Sequence, residues 1–94
     1  MIQLFQAEWC PYSRVVRERL TELGVDYVAR QVAPYPPERD ALREATGVDS
    51  IPVVVLDDGE VVGGDTREIL AVLDKRFQPW EFEDGHKQQD AAHR

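Results

Sequence analysis

Cys10-Pro11-Tyr12-Ser13 is the stretch of this 94-residue chain whose residue types and spacing could do chemistry. An apolar run, Ile2, Leu4 and Phe5, precedes it, and a helical pattern follows. Pro11 suits the first turn of a helix, where its missing N–H has no intrahelical partner to lose. The Cys10 sulfur then stands at a helix N-terminus, near unpaired N–H groups and the positive end of the dipole. Such a place favours thiolate over thiol and lowers the pKa. A thiolate is the nucleophile of disulfide exchange. Ser13 either caps the helix or donates a hydrogen bond to that thiolate. Cys10 is the only cysteine, so any disulfide it forms joins it to a small thiol or to another protein.

These residues need elements to hold them. Ile2 to Gln6 reads as a strand, and Pro11 to Leu23 as a helix with Val15, Val16, Leu20 and Leu23 as its apolar positions. Arg14 and Arg17 read as solvated charges on that helix, with attraction of an anionic thiol as the lesser alternative, and Gly24 as its stop. Val25 to Val32 suggests a second strand. A proline-rich loop follows, then a short helix over Glu38 to Thr46. Ile51 to Leu56 is a β-branched run typical of a strand buried on both faces. Asp57-Asp58-Gly59 signals a hairpin into a short strand over Glu60 to Val62. Gly63-Gly64 interrupts the chain, and Asp65 caps a last helix reaching about Phe77. The order is β-α-β-α-β-β-α, with a polar tail from Gln78 whose end is expected to be disordered.

Composition narrows the function classes. The formal charge is −7, with 43% hydrophobic and 31% charged residues, as in a soluble globular domain. So acidic a chain lacks the basic surface that nucleic-acid binding requires. No stretch is apolar enough to span a membrane, and no signal-peptide pattern opens the chain. A lone cysteine then fits the reducing cytoplasm. Two histidines and one cysteine show no metal-ligand spacing, so no metal is expected.

Three separated pieces, Cys10-Pro11-Tyr12-Ser13, Ser50-Ile51-Pro52 and Gly63-Gly64-Asp65-Thr66, together resemble the glutaredoxin family, which carries C-P-Y-C or C-P-Y-S, then T-V-P, then G-G with a polar pair. The segment Asp57 to Phe77 is also similar to the N-terminal domain of glutathione S-transferases. The resemblance implies a thioredoxin-like α/β fold over residues 1–77, a four-stranded mixed sheet flanked by three helices. It implies a cis peptide bond before Pro52, facing Cys10, and backbone pairing of Ile51 with the cysteinyl part of glutathione. Gly64, Asp65 and Thr66 then start a helix that receives the γ-glutamyl end. Pro11 and Tyr12 shape the site, with Cys10 and Ser13 as its catalytic pair.

The chain departs from the family pattern at two places. Ala7 stands where most glutaredoxins have a lysine that binds the glycine carboxylate and helps hold the thiolate. Arg39 occupies a position with a glycine-end contact in the family. Arg67 stands where many glutaredoxins have an aspartate, leaving Asp65 for the γ-glutamyl ammonium. The implied activity is reduction of protein mixed disulfides by one cysteine, with glutathione or a related low-molecular-weight thiol as co-substrate. The expected partners are glutathionylated or otherwise mixed-disulfide proteins, met by a monomer, with no nucleic acid and no membrane. One alternative is an iron–sulfur carrier of the monothiol type, although those carriers read C-G-F-S and Pro11 stiffens the loop. Another is a transferase-like thiol-binding domain.

Overall fold

The computed structural model describes residues 1–77, so the expectation for the tail lies outside the described residues. The elements are β1 (Ile2–Gln6), α1 (Pro11–Glu22), β2 (Tyr27–Gln31), a single 3-10 turn (Pro36–Glu38), α2 (Asp40–Thr46), β3 (Val53–Val55), β4 (Val61–Gly63) and α3 (Thr66–Arg76). The sheet order is β2-β1-β3-β4. β1 runs parallel to β2 and antiparallel to β3, and β3 turns back antiparallel into β4. This is the mixed four-stranded, three-helix thioredoxin-like architecture expected from the resemblance.

Alternation along β1 sorts its side chains onto two faces. Ile2 and Leu4 join Val16 and Leu20 of α1, Val54 and Leu56, and Ile69 and Leu73 of α3 in the larger core. Phe5 points the other way and packs with Val53 and Leu42 of α2. The sheet is therefore covered by α1 and α3 on one side and by α2 on the other. Gln6, the last residue of β1, is fully buried beside the larger core.

Several elements differ in extent from expectation. β2 is the shorter Tyr27–Gln31 and its last four residues are exposed, because it forms the outer edge and only β1 pairs with it. β3 begins at Val53, after Pro52, which has no N–H to donate to a ladder. The short helix divides: Pro36–Glu38 forms a 3-10 turn, Arg39 leaves helical geometry, and α2 starts at Asp40. Val15 is 42% exposed while Val16 is fully buried, since adjacent helix positions point about 100° apart.

The hairpin is tied to the far end of α3. Gly59 donates to the Leu56 carbonyl at 2.9 Å, and the Asp58 carboxylate accepts the Glu60 N–H at 3.0 Å. Arg76 then bonds both Asp58 (3.1 Å) and Glu60. The Glu60 N–H, with the Arg76 guanidinium, holds the Asp58 carboxyl below its ordinary value. Among the described residues no helix is long and apolar enough to cross a membrane. Leu20 is fully buried where α1 meets the larger core. Leu20→Ala should lower unfolding free energy by about 2–5 kcal/mol in urea titrations, through lost transfer energy and a residual cavity.

Candidate active site

β1 ends at Gln6, and a tight turn brings the chain to α1. The Cys10 N–H donates to the Ala7 carbonyl at 3.1 Å, closing that turn. The Ala7 N–H in turn donates to the Ser13 hydroxyl at 3.3 Å. Cys10 is the N-cap residue of α1, in extended geometry, with Pro11 as the first helical residue. The strand-to-helix junction and the place of Pro11 in the first turn are as the sequence implies. Ser13 is fully buried, and Cys10 is only 6% exposed. Trp9, before this pair in the chain, and Tyr12, between its members, project into solvent.

Burial pushes the Cys10 thiol up, because it disfavours the charged form. The opposing effects win. The Ser13 hydroxyl, the backbone N–H groups of Ser13 and Tyr12, and the charge of Arg17 together place the Cys10 pKa below the ordinary 9.0. Ser13 therefore accepts from Ala7 and favours the thiolate, while the helix has no side-chain cap bond.

Arg17 was not recognisable as part of the site when read as a solvated charge. Its side chain is only 20% exposed. It donates to the Gln6 side-chain oxygen and to the Ala7 carbonyl (3.4 Å), and lies 2.9 Å from the Glu8 carboxylate. A signal was present in the spacing: Ser13, Arg17 and Leu20 share one helical stripe, which in this helix is the inner one. The Gln6 amide nitrogen is buried without a hydrogen-bond partner among the described residues.

A cleft of about 670 Å3 opens on the other side of the α1 N-terminus. Tyr12, Val15, Ile51, Gly64, Asp65, Thr66, Arg67 and Leu70 line it. Five of the expected binding residues, Tyr12, Ile51, Gly64, Asp65 and Thr66, are thus brought together. Cys10 is not part of this lining; it lies at the head of the helix whose next residues supply Tyr12 and Val15. The Ile51–Pro52 peptide bond is cis, and Pro52 is fully buried.

The floor of the cleft follows from local chemistry. Gly63 lies against β3, where an added Cβ would come within 3.2 Å of Val53. Gly64 has φ +92°, a left-handed conformation that side chains resist. This turn delivers Asp65 to the N-cap of α3, where its carboxylate accepts the Arg67 N–H at 2.8 Å. Arg67 is largely solvent-exposed and lies 3.6 Å from the same carboxylate.

Arg39 does not join the cleft. It is 8% exposed, and its guanidinium donates to the carbonyls of Ala33 (2.8 Å), Asp49 (2.9 Å) and Pro34 (3.2 Å). The structure engages it in tying the proline-rich loop to the segment before Ile51. Its Nε and both terminal nitrogens are held on these three carbonyls, and the side chain does not reach the cleft lining. Ala7, at the family's lysine position, is 2% exposed and uncharged.

A family model described as glutathione S-transferase, N-terminal domain, matches residues 4–81 of this chain. An uncharacterized glutaredoxin-like 8.6 kDa protein in the rubredoxin operon of Clostridium pasteurianum is 28% identical over 75 residues, 80% of this chain and 100% of that relative. A glutathione S-transferase of Methylobacillus flagellatus KT, solved with GSH bound, is 30% identical with a TM-score of 0.69, over 84% of this chain and 38% of that one. A glutathione transferase family member from Pseudomonas fluorescens Pf-5, with bound glutathione, is 34% identical with a TM-score of 0.63, over 82% and 38%. The chain spans 38% of the length of these two transferases and all of the glutaredoxin-like relative.

Two measurements check this geometry. Alkylation of Cys10 by iodoacetamide should reach half its limiting rate at a lower pH than alkylation of the same cysteine in the urea-unfolded chain. Because the folded pKa is depressed, stability relative to Cys10→Ser should rise as pH climbs from the folded pKa to the unfolded one. Above that it should level off. Arg39→Met should lower unfolding free energy by on the order of 3 kcal/mol, by stranding three carbonyls, while the Cys10 alkylation profile stays in place.

Proposed function

Since the chain belongs to the glutathione S-transferase N-terminal-domain family, we propose that it is a single-cysteine thiol-disulfide oxidoreductase of the glutaredoxin type. Its co-substrate is glutathione or a related γ-glutamyl thiol. The observation that carries this reading is the Cys10 sulfur at the N-cap of α1, its pKa lowered by Ser13, Tyr12 and Arg17 against the effect of burial.

In the first step the Cys10 thiolate attacks the glutathionyl sulfur of a protein–glutathione disulfide. A Cys10–glutathione disulfide forms, and the protein leaves as a thiolate that takes a proton from water. In the second step the thiolate of a free glutathione attacks the glutathionyl sulfur on Cys10. Glutathione disulfide departs and the Cys10 thiolate is restored. One free glutathione is consumed per mixed disulfide and leaves joined to the glutathionyl group that Cys10 removed, and no second cysteine is needed.

The cleft supports the binding side of this reading. Backbone at Ile51 offers strand-like pairing to a short peptide, and the N-terminus of α3 offers N–H groups to a carboxylate. Asp65 supplies a negative charge for an α-ammonium. Two solved relatives carry glutathione, which fits the same cleft chemistry. A second reading, a transferase-like thiol-binding domain, is favoured by the apolar patch of Val15, Ile51 and Leu70 on the cleft wall, a surface on which an electrophile could rest.

Oxidised glutathione should add one glutathione mass to the wild-type chain and none to Cys10→Ser. A glutathionylated peptide should be reduced by the wild type and, with Cys10→Ser, only at the background rate. A Cys10 that does not react at neutral pH would end the oxidoreductase reading. Conjugation of glutathione to an aryl halide, with no peptide reduction, would select the transferase-like one.

A further inference from the structure

α1 carries three arginines, and they are treated differently. Arg14 is mostly exposed and pairs with Glu18 on the next turn at 3.0 Å. Arg19 lies farther along, 3.1 Å from Asp74 of α3. Arg17 is drawn inward, bonded to Gln6 at the end of β1 and to the Ala7 carbonyl. That carbonyl also accepts the Cys10 N–H at 3.1 Å. One oxygen therefore joins the guanidinium and the residue bearing the nucleophile. The only carboxylate paired with Arg17 among the described residues is Glu8, at 2.9 Å.

We propose that Arg17 is the positioning residue of the thiol chemistry and that Glu8 sets its strength. Arg17 fixes the turn that presents Cys10 and provides the positive charge behind it. Glu8 neutralises part of that charge from the solvent side. The proposal rests on Cys10 being the working nucleophile, though not on which disulfide it attacks.

The charges around Cys10 support this assignment. From the turn come Arg17 and Glu8. From α1, Arg14 is held by Glu18. From the start of α3, Asp65 and Arg67 lie 3.6 Å apart and largely offset each other. In the loop before Ile51, the Asp49 carbonyl holds Arg39, whose guanidinium is engaged with backbone oxygens. Arg17 is the cation whose field lowers the Cys10 pKa, and its half-sheltered position limits screening by solvent.

The test is the pH profile of Cys10 alkylation by iodoacetamide on the full chain, for the wild type, Arg17→Met, Arg17→Lys, Glu8→Gln and Arg14→Met. Arg17→Met should move the profile to higher pH and slow alkylation at pH 7 by roughly three- to tenfold. Arg17→Lys should recover part of that loss. Glu8→Gln should move the profile the opposite way and speed alkylation at pH 7 by a few-fold. Arg14→Met should leave it in place. Glu8 is exposed, so its variant keeps the test decisive even where Arg17→Met fails to fold.

The proposal is overturned if Glu8→Gln slows alkylation or leaves it unchanged. It is also overturned if a folded Arg17→Met alkylates like the wild type, or if Arg14→Met shifts the profile as far as Arg17→Met. Opposite shifts in the two variants, combined with no reduction of glutathionylated peptide by the wild type, would sink the oxidoreductase reading and leave Arg17's role intact.

Discussion

Two hydrogen bonds at the junction of β1 and α1 set the rest of the site. The Cys10 N–H closes a turn on the Ala7 carbonyl, and the Ala7 N–H reaches the Ser13 hydroxyl, which lowers the pKa of the Cys10 sulfur. Each residue is held by the next, and all three are nearly or fully buried. A buried polar group without a partner is costly, so the loop has few alternatives to this arrangement. Ser13 stands where a second cysteine would make the site a dithiol one. Its oxygen lowers the sulfur's pKa and cannot form an internal disulfide.

The fold brings two remote segments to this junction. Alternation along β1 commits Leu4 to the α1/α3 layer and Phe5 to the α2 layer, so the strand is clamped from both sides. β3, antiparallel to β1, carries Ile51 and Pro52 at its head toward the same end of the sheet. β4 then leads through Gly63 and Gly64 to the start of α3. Two arginines secure this path far from the chemistry. Arg39 ties the proline-rich loop to the Asp49 carbonyl, and Arg76 ties the hairpin to the end of α3.

Electrostatics at the sulfur is a contest between two consequences of the same burial. Removing water penalises the thiolate, yet it also strengthens the hydrogen bonds and the field of Arg17 that favour it. The balance lies with the thiolate because four separate favourable contributions act on one atom.

The element order and the Cys10 junction were legible in the chain from local rules: helix and strand periodicity, proline at a helix start and glycine before a cap. The cleft residues Tyr12, Ile51, Gly64, Asp65 and Thr66 came from the family resemblance that three short motifs carry, while the division of the core between the two faces of the sheet came with the fold. What the residues alone could not reveal was how the arginines divide their work. Arg39 looked like a ligand contact and is a buried brace, whereas Arg17 looked solvated and turns in against Ala7. A guanidinium sits at the end of a long flexible stem, so its partner is decided by which carbonyls and carboxylates the folded chain places within its reach. Local sequence determines where such a stem begins; only the packing of strand, turn and helix determines where its charge ends up.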